Sequence, residues 1–299
     1  MPVSVLDSDL CIMRACRCLS GCGIALLCLL VAPASWAGQP LAAHRIVSMN
    51  LCTDELAVRL LDPARLLSVT WLSQDARISN VAAQARRMPP NRGFAEEIVG
   101  FRPDLVIAGR YTTRMTVALL QRSGVPVLDL DVPVDVAGME KQIGDLSILL
   151  GEEVRGQKLL SGIERRLAAI PQIPDKEKPG AIVLKPNGFT VGRGSLVDDI
   201  LTRAGLRNLA AEQGLERYGQ VPLEIIADAR PDILIVDGEP GDGRTLAFEI
   251  LNHPLLKHLP LHIVRLPSRL WTCAGPGVVD AIALLSRAAI DVRKERRGS

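Results

Sequence analysis

The sequence has few aromatic residues and, beyond residue 37, few cysteines. Tryptophan, tyrosine and phenylalanine make up 3% of the 299 residues, and five of the seven cysteines lie before residue 38. No Cys-x-x-Cys pair occurs, which argues against a structural zinc site because such sites normally use four closely spaced ligands. The formal net charge is only +2 and there is no long tract of lysine and arginine. We therefore expect no metal site and no nucleic-acid partner.

The first 37 residues have the features of an export signal. Arg14 and Arg17 precede an apolar stretch at residues 24–32, and a small-x-small cleavage motif ends at Ala37. This stretch is about half of the roughly 20 residues that a transmembrane helix requires. We expect a cleaved signal peptide over residues 1–37, whether translation starts at the first residue or at Met13.

Two stretches 128 residues apart share one pattern. Its positions are Glu96, Ile98, Arg102, Pro103, Asp104 and Ile107 in the first copy and Glu224, Ile226, Arg230, Pro231, Asp232 and Ile235 in the second. In each copy a short helix is stopped by the proline, and the apolar run that follows predicts a buried strand. A helix-strand unit that occurs twice predicts two similar lobes with a small-molecule site between them.

Strand and helix patterns alternate through both halves, which predicts two similar α/β lobes with mainly parallel sheets. The N-terminal lobe spans residues 44–131, with strands at 45–49, 66–70, 105–108 and 126–130 and helices at 53–61, 96–101 and 113–123. The C-terminal lobe spans residues 180–295, with strands at 181–184, 233–236 and 263–266 and helices at 196–204, 222–229, 246–251 and 276–294. Thr53 is the predicted cap of the first helix.

Residues 132–171 connect the two lobes. Their apolar positions recur at helical spacing with a break at Gly151, which predicts two linking helices, the second of them long and charged. Such a linker is stiffer than a Gly/Ser tether, so we expect only small movements of the lobes.

The few aromatic residues concentrate at predicted strand ends. Five of them follow, or lie near, the carboxyl ends of strands: Trp71, Tyr111, Phe189, Tyr218 and Trp271. Open parallel sheets bind ligands on that side, so we expect these side chains to surround the cleft between the lobes. Arg110 and Arg193 lie beside them and are candidates for contact with acidic groups of a ligand. The alternative is that the aromatic side chains cover small local cores.

Cys52 and Cys273 are the two cysteines that follow the export signal. In an oxidising compartment one disulfide between them is the simple expectation, and it would tie a loop of one lobe to a loop of the other. Two unrelated free thiols, or two thiols that face a bound metal complex, remain open alternatives.

In combination these motifs resemble those of the exported substrate-binding proteins of ABC importers for cobalamin, ferric siderophores and haem. The resemblance covers residues 44 to about 290. It rests on residues 45–48 (Arg-Ile-Val-Ser), 53–56 (Thr-Asp-Glu-Leu), 188–190 (Gly-Phe-Thr) and the two Glu…Arg-Pro-Asp units. It implies two α/β lobes joined by a long helix, location in the periplasm, and a bulky metal chelate held in the cleft as cargo, with no resident cofactor.

The resemblance also implies roles for individual residues. In the family, a glutamate on each lobe meets arginines of the membrane permease, so Glu96 and Glu224 are expected to dock the protein on an ABC permease at the inner membrane. Charge compensation at a helix start is the alternative role for both. The position of Phe189 matches the family's ligand cleft most closely. Cys52 and Cys273 depart from the cobalamin-binding members, which leaves the identity of the chelate open.

Other functional classes have less support. We find no nucleophile with a base and no histidine cluster, so we expect no enzyme activity and no catalytic residue. An exported α/β enzyme, or a thiol-redox protein that uses Cys52 and Cys273, is the alternative. The separation of 221 residues lacks the close spacing of redox motifs. We expect a monomer.

Overall fold

The computed structural model describes residues 41–185, 188–238, 253–257, 259 and 261–298. The predicted export signal at residues 1–37 and the predicted helix at residues 246–251 lie outside these ranges. Among the residues described, no helix combines the length and the apolar character that crossing a membrane requires.

The N-terminal lobe is a five-stranded parallel sheet with helices packed on it. Its strands are β1 (Ile46–Ser48), β2 (Leu66–Thr70), β3 (Pro90–Asn91), β4 (Leu105–Gly109) and β5 (Val127–Leu130), in the order β3-β2-β1-β4-β5. Its helices are α1 (Leu51–Leu60), α2 (Ala82–Ala85), α3 (Ala95–Gly100) and α4 (Arg114–Arg122), with a 3-10 turn at Trp71–Gln74. The predicted strands agree with these bounds to within one or two residues, and β3 and α2 were not predicted.

The C-terminal lobe contains a second parallel sheet, in the order β11-β10-β6-β8. The strands are β6 (Gly180–Leu184), β7 (Phe189–Val191), β8 (Arg207–Asn208), β9 (Tyr218–Gln220), β10 (Ile233–Asp237) and β11 (His262–Leu266). The helices are α7 (Leu196–Arg203), α8 (Leu209–Glu212), α9 (Leu223–Asp228), α10 (Pro254–Lys257) and α11 (Gly277–Gly298). Strands β7 and β9 form a separate antiparallel ribbon, which was not predicted because three-residue strands show too little periodicity.

Two linking helices join the lobes, α5 (Val136–Leu149) and α6 (Glu153–Ala168). Gly151 separates them with a left-handed φ of 69°, a conformation that glycine adopts without steric cost. One continuous hydrophobic cluster extends from Ile46 in the first sheet through Ile143 and Ile163 to Val183 in the second. The lobes therefore share a buried core beneath the linking helices.

The repeated Arg-Pro-Asp motif ends a helix and holds a strand. Asp104 accepts hydrogen bonds from the backbone N–H groups of His44 (2.8 Å) and Arg45 (2.9 Å), just before β1. Asp232 accepts one from the N–H of Gly180 (2.7 Å), at the start of β6. In each lobe the motif thus fixes the beginning of the first strand, which explains why it occurs at corresponding points.

Helix α1 begins two residues earlier than predicted. Asn50 is its N-cap, with an extended backbone and a side-chain oxygen that accepts from the N–H of Cys52 at 2.9 Å. Thr53, the predicted cap, lies inside the helix and shares a hydrogen bond with Ser48 (Oγ to Oγ1, 2.7 Å). The prediction of Thr53 was wrong because Asn50, three positions earlier, is at least as good a capping residue.

Candidate functional site: the cleft between the lobes

A cleft with about 710 Å³ of empty space, counted to its open mouth, lies between the two lobes. Its lining comes from the α1 N-terminus, the ends of β4 and β5, α5, the start of α7, the ribbon strand β9 and the turn before α11. The lining residues are Asn50, Cys52, Thr53, Leu56, Gly109, Arg110, Tyr111, Leu130, Asp131, Val132, Pro133, Gln142, Leu196, Val197, Tyr218, Trp271, Thr272 and Ala274.

Two tyrosines from opposite lobes line this cleft. Tyr111 follows β4 and is 81% exposed, whereas Tyr218 begins β9 and is 65% exposed. Both rings are therefore free to contact a ligand, and aromatic rings offer a large contact area at a small cost in rotamer freedom.

The charges in the lining cancel. Arg110 and Asp131 are its two residues that carry a formal charge at neutral pH, and Arg110 Nη1 lies 2.6 Å from Asp131 Oδ1. The remaining polar groups are uncharged amides and hydroxyls, among them Asn50, Gln142 and Thr272. The cleft therefore presents hydrogen-bonding groups without a net charge.

Trp271 forms a fixed wall of the cleft. It is 3% exposed, and its indole N–H donates to Asp237 Oδ1 at 3.2 Å. Ser268 donates to the same oxygen at 2.6 Å. Lys185 Nζ lies 4.9 Å from the centroid of the indole ring and 3.9 Å from Asp237 Oδ2. Asp237 and Lys185 stand at the carboxyl ends of β10 and β6, so the sheet edge itself positions the ring.

A disulfide joins the lobes at the same wall. Cys52, in the first turn of α1, is bonded to Cys273, two residues after Trp271. Beside it, Asn80 of the N-terminal lobe donates to the carbonyl oxygen of Arg269 at 2.6 Å. The free-thiol alternatives do not apply to this structure, in which both cysteines are paired. Within the described ranges, no group of three or more His, Cys, Asp or Glu side chains is arranged to hold a metal ion.

Three of the predicted ligand-binding residues lie outside the cleft. Trp71 is 55% exposed and borders a separate depression with Pro90, Arg92 and Glu97. Phe189 pairs with Gln220, at the opposite end of the ribbon from Tyr218. Arg193 donates to the carbonyl oxygen of Ala211 at 3.3 Å and faces Glu216 at 3.7 Å. The lining of this cleft thus includes Trp271 but not Trp71, Phe189 or Arg193, and ligand contact by these three residues stays a prediction.

A buried carboxylate holds the turn that begins at Trp71. Asp54 of α1 accepts hydrogen bonds from the N–H and the hydroxyl of Thr70 and from the hydroxyl of Ser73, which binds the 3-10 turn at 71–74 to α1. Burial raises the pKa of Asp54 above its ordinary value, although the hydrogen bonds from Ser73 and Thr70 act in the opposite direction. The turn that begins at Trp71 is thus held against α1.

Sequence reasoning missed several residues of this site. Asp131 follows the carboxyl end of β5, so the strand-end rule that selected Arg110 also applied to it. Asp237 and Lys185 end or follow strands as well, but their contact with Trp271 joins residues that are 34 or more positions apart. No local pattern signals such a contact.

Glu96 and Glu224 occupy the same place in the two lobes. Both lie in the first turn of a short helix, α3 or α9, and both are exposed. In the part of the chain that the structure describes, neither has a hydrogen-bond or ion-pair partner. The neighbouring Glu97, by contrast, accepts a hydrogen bond from the N–H of Arg92 at 2.7 Å.

Sequence comparison matches residues 46–261 to the profile of a family described as periplasmic binding protein. A vitamin B12-binding protein of Salmonella paratyphi A is 25% identical over 84% of this chain and 92% of its own length. A cobalamin-binding protein of Halobacterium salinarum is 25% identical over 64% of this chain. The chain spans about half of that relative, 53% of its length.

Solved structures share the fold. The periplasmic heme-binding protein HutB of Vibrio cholerae superposes with a TM-score of 0.70, at 19% identity over 82% of this chain and 98% of its own. The periplasmic heme-binding protein RhuT of Roseiflexus gives 0.68, at 23% identity over 84% of this chain and 99% of its own. The profile match extends over most of the chain, and the two-lobed α/β fold agrees with it. The chain therefore belongs to the periplasmic binding protein family.

Proposed function

We propose that this protein is the substrate-binding component of an ABC importer, which captures a bulky metal chelate in the periplasm and delivers it to a membrane permease. One observation carries the proposal: the two lobes enclose a cleft that is lined by aromatic residues of both, Tyr111 from one and Tyr218 and Trp271 from the other. No catalytic grouping is needed for this role.

The uncharged lining favours one kind of chelate. Arg110 is already paired with Asp131, so an incoming carboxylate must displace Asp131 or meet its negative charge. The corrin ring of cobalamin carries uncharged amides, and the single phosphate of cobalamin lies on its nucleotide arm, away from the ring. Haem carries two propionates on the macrocycle itself, so we expect this cost to be smaller for a corrinoid. The names of the Salmonella and Halobacterium relatives agree with the choice of a corrinoid.

Calorimetric titration tests the proposal. The purified protein should bind cyanocobalamin with 1:1 stoichiometry and bind haemin more weakly. Replacing Asp131 with Asn frees the Arg110 charge and should tighten haemin binding about tenfold, which corresponds to about 1.4 kcal/mol, while cyanocobalamin binding changes little.

The outcomes of this titration distinguish a failure of the charge argument from a failure of the capture function. Tighter binding of haemin than of cyanocobalamin by the unmodified protein would contradict the charge argument alone. Absence of binding to cyanocobalamin, haemin and a ferric hydroxamate siderophore would contradict the capture function itself.

Delivery to a permease is proposed to use Glu96 and Glu224. Two exposed carboxylates, one on each lobe and neither engaged with other described residues, provide two negative points for arginines of a permease. Charge compensation at a helix start does not require that the same glutamate occur in both lobes. In α3, moreover, Glu97 already accepts a hydrogen bond from the N–H of Arg92 at the start of the helix.

Charge reversal tests the docking role. The double substitution Glu96→Lys and Glu224→Lys should abolish uptake of labelled cyanocobalamin by cells and leave the affinity of the purified protein unchanged. The matched substitution Glu97→Lys, on the same helix, should retain uptake. Normal uptake by the double variant would refute docking through these residues.

A further inference from the structure

The neighbouring helices α3, which carries Glu96, and α4 expose four large apolar side chains. They are Phe94 (57% exposed), Val99 (42%), Met115 (72%) and Leu119 (42%), here called the apolar flank. Phe94 and Val99 belong to the start and end of α3, and Met115 and Leu119 lie one turn apart on α4. Exposed apolar residues are ordinary when they are scattered, but a group on neighbouring helices marks an interaction surface.

The packing of α3 and α4 explains why the flank faces outward. The two helices lie side by side on one face of the first sheet, and each directs one fully buried side chain, Ile98 or Leu120, into the same small core with Val47 and Val106. With these positions turned inward, the flank residues remain on the solvent side of the helix pair. The lobe's own core therefore does not use them.

The repeat differs between the lobes at the helix that carries the glutamate. At an offset of 128 residues, Pro222 stands in place of Phe94 and Ala227 in place of Val99. Within the described part of α9, Ile225 is the exposed large apolar residue, at 43%. Among the described residues, the two helices that carry the glutamates thus expose different apolar side chains, Phe94 and Val99 at α3 and Ile225 at α9.

We propose that the apolar flank is a second part of the permease contact, so that the N-terminal lobe docks through apolar contacts as well as through Glu96. The inference rests on the docking function proposed above. The permease is the chosen occupant because the flank is continuous with Glu96 on α3, and because phenylalanine and methionine are enriched at protein interfaces with charged residues at the rim.

Salt dependence separates the two kinds of contact, because screening weakens exposed ion pairs but not apolar contacts. The experiment measures co-sedimentation of the purified protein with right-side-out inner-membrane vesicles of the source organism from 50 mM to 1 M NaCl. For the unmodified protein, retention should fall with salt to a plateau. The substitutions Phe94→Ser and Met115→Ser should remove the plateau and weaken low-salt binding about tenfold, a typical effect for interface anchors.

Two matched variants complete the design. Ile225→Ser, in the C-terminal lobe, should lower retention less than twofold. Glu96→Lys with Glu224→Lys should remove the salt-sensitive part. Cyanocobalamin affinity and the melting temperature verify that each variant is folded, and Met115→Gln alone, at the most exposed flank position, serves if the double flank variant unfolds.

Several results would overturn the inference. Equal retention of the flank variant and the unmodified protein, while the glutamate variant is impaired, would refute the flank and leave docking intact. Retention unaffected by the glutamate variant would refute the docking function. Equal binding to protein-free vesicles of the same lipids would identify the flank as a lipid contact, and a concentration-dependent dimer that the flank variant abolishes would identify it as a surface for a second copy.

Discussion

Asp237 is the residue that fixes the indole of Trp271 in the cleft wall. Its Oδ1 accepts from both the indole N–H and Ser268, and its Oδ2 lies near Lys185. Because the ring is 3% exposed, loss of this acceptor leaves a buried donor without a partner, at a cost of about 1–3 kcal/mol. We infer that Asp237 determines how well the wall is formed before a ligand arrives.

Substitution of Asp237 tests this positioning role. Asp237→Ala should weaken cyanocobalamin binding about tenfold, equivalent to about 1.4 kcal/mol, and should shift the emission of Trp271. Asp237→Asn keeps an oxygen that can accept from the indole, so its affinity should stay within about threefold of the unmodified protein's. Unchanged affinity and emission in the alanine variant would show that the hydrogen bond does not position the ring.

The carboxylate of Asp54 connects three elements: α1, the end of β2 and the turn at 71–74. Burial raises its pKa in the folded state above 3.8, the ordinary value. Below pH 3.8 the group is protonated in the folded and the unfolded chain alike. As the pH rises, the Asp54 carboxyl ionises in the unfolded chain before it ionises in the folded chain. Its contribution to the free energy of unfolding therefore decreases until the pH exceeds its folded-state pKa.

Asp54→Asn should remove this dependence because asparagine does not titrate. Chemical denaturation at a series of pH values measures it: the stability of the unmodified protein relative to the variant should decrease as the pH rises above 3.8, then level off. The difference in stability between the two proteins cancels the contributions of the other titrating groups. A relative stability that increases with pH would mean that hydrogen bonding, not burial, dominates at Asp54.

The elements that sequence reasoning predicted well are those with strong local signals. The buried strands 66–70 and 233–236, and the helices that end before Pro103 and Pro231, combine apolar runs with a breaker whose geometry is fixed. The β7–β9 ribbon was missed because its pairing is set by contacts between distant residues. In the site, Tyr111, Tyr218 and Trp271 line the cleft as the strand-end rule predicted, whereas Trp71 borders a separate depression.

At the scale of the whole molecule, the two lobes are held by a shared core, by two linking helices and by the bond between Cys52 and Cys273. These constraints favour a cleft that is largely formed in advance and closes by small movements. Such preorganisation lowers the entropic cost of capture. The central claim is that capture takes place in this cleft, against Trp271.

The two tryptophans after residue 37 allow a direct measurement. In protein produced from residue 38 onward, Trp71→Phe leaves Trp271 in the cleft wall as the reporter, and Trp271→Phe leaves Trp71 outside it. Titration with cyanocobalamin should quench the emission of the Trp71→Phe protein in a saturable 1:1 manner, and the Trp271→Phe protein should show much less quenching. Equal quenching of both proteins, or stronger quenching of Trp71, would contradict capture in the cleft.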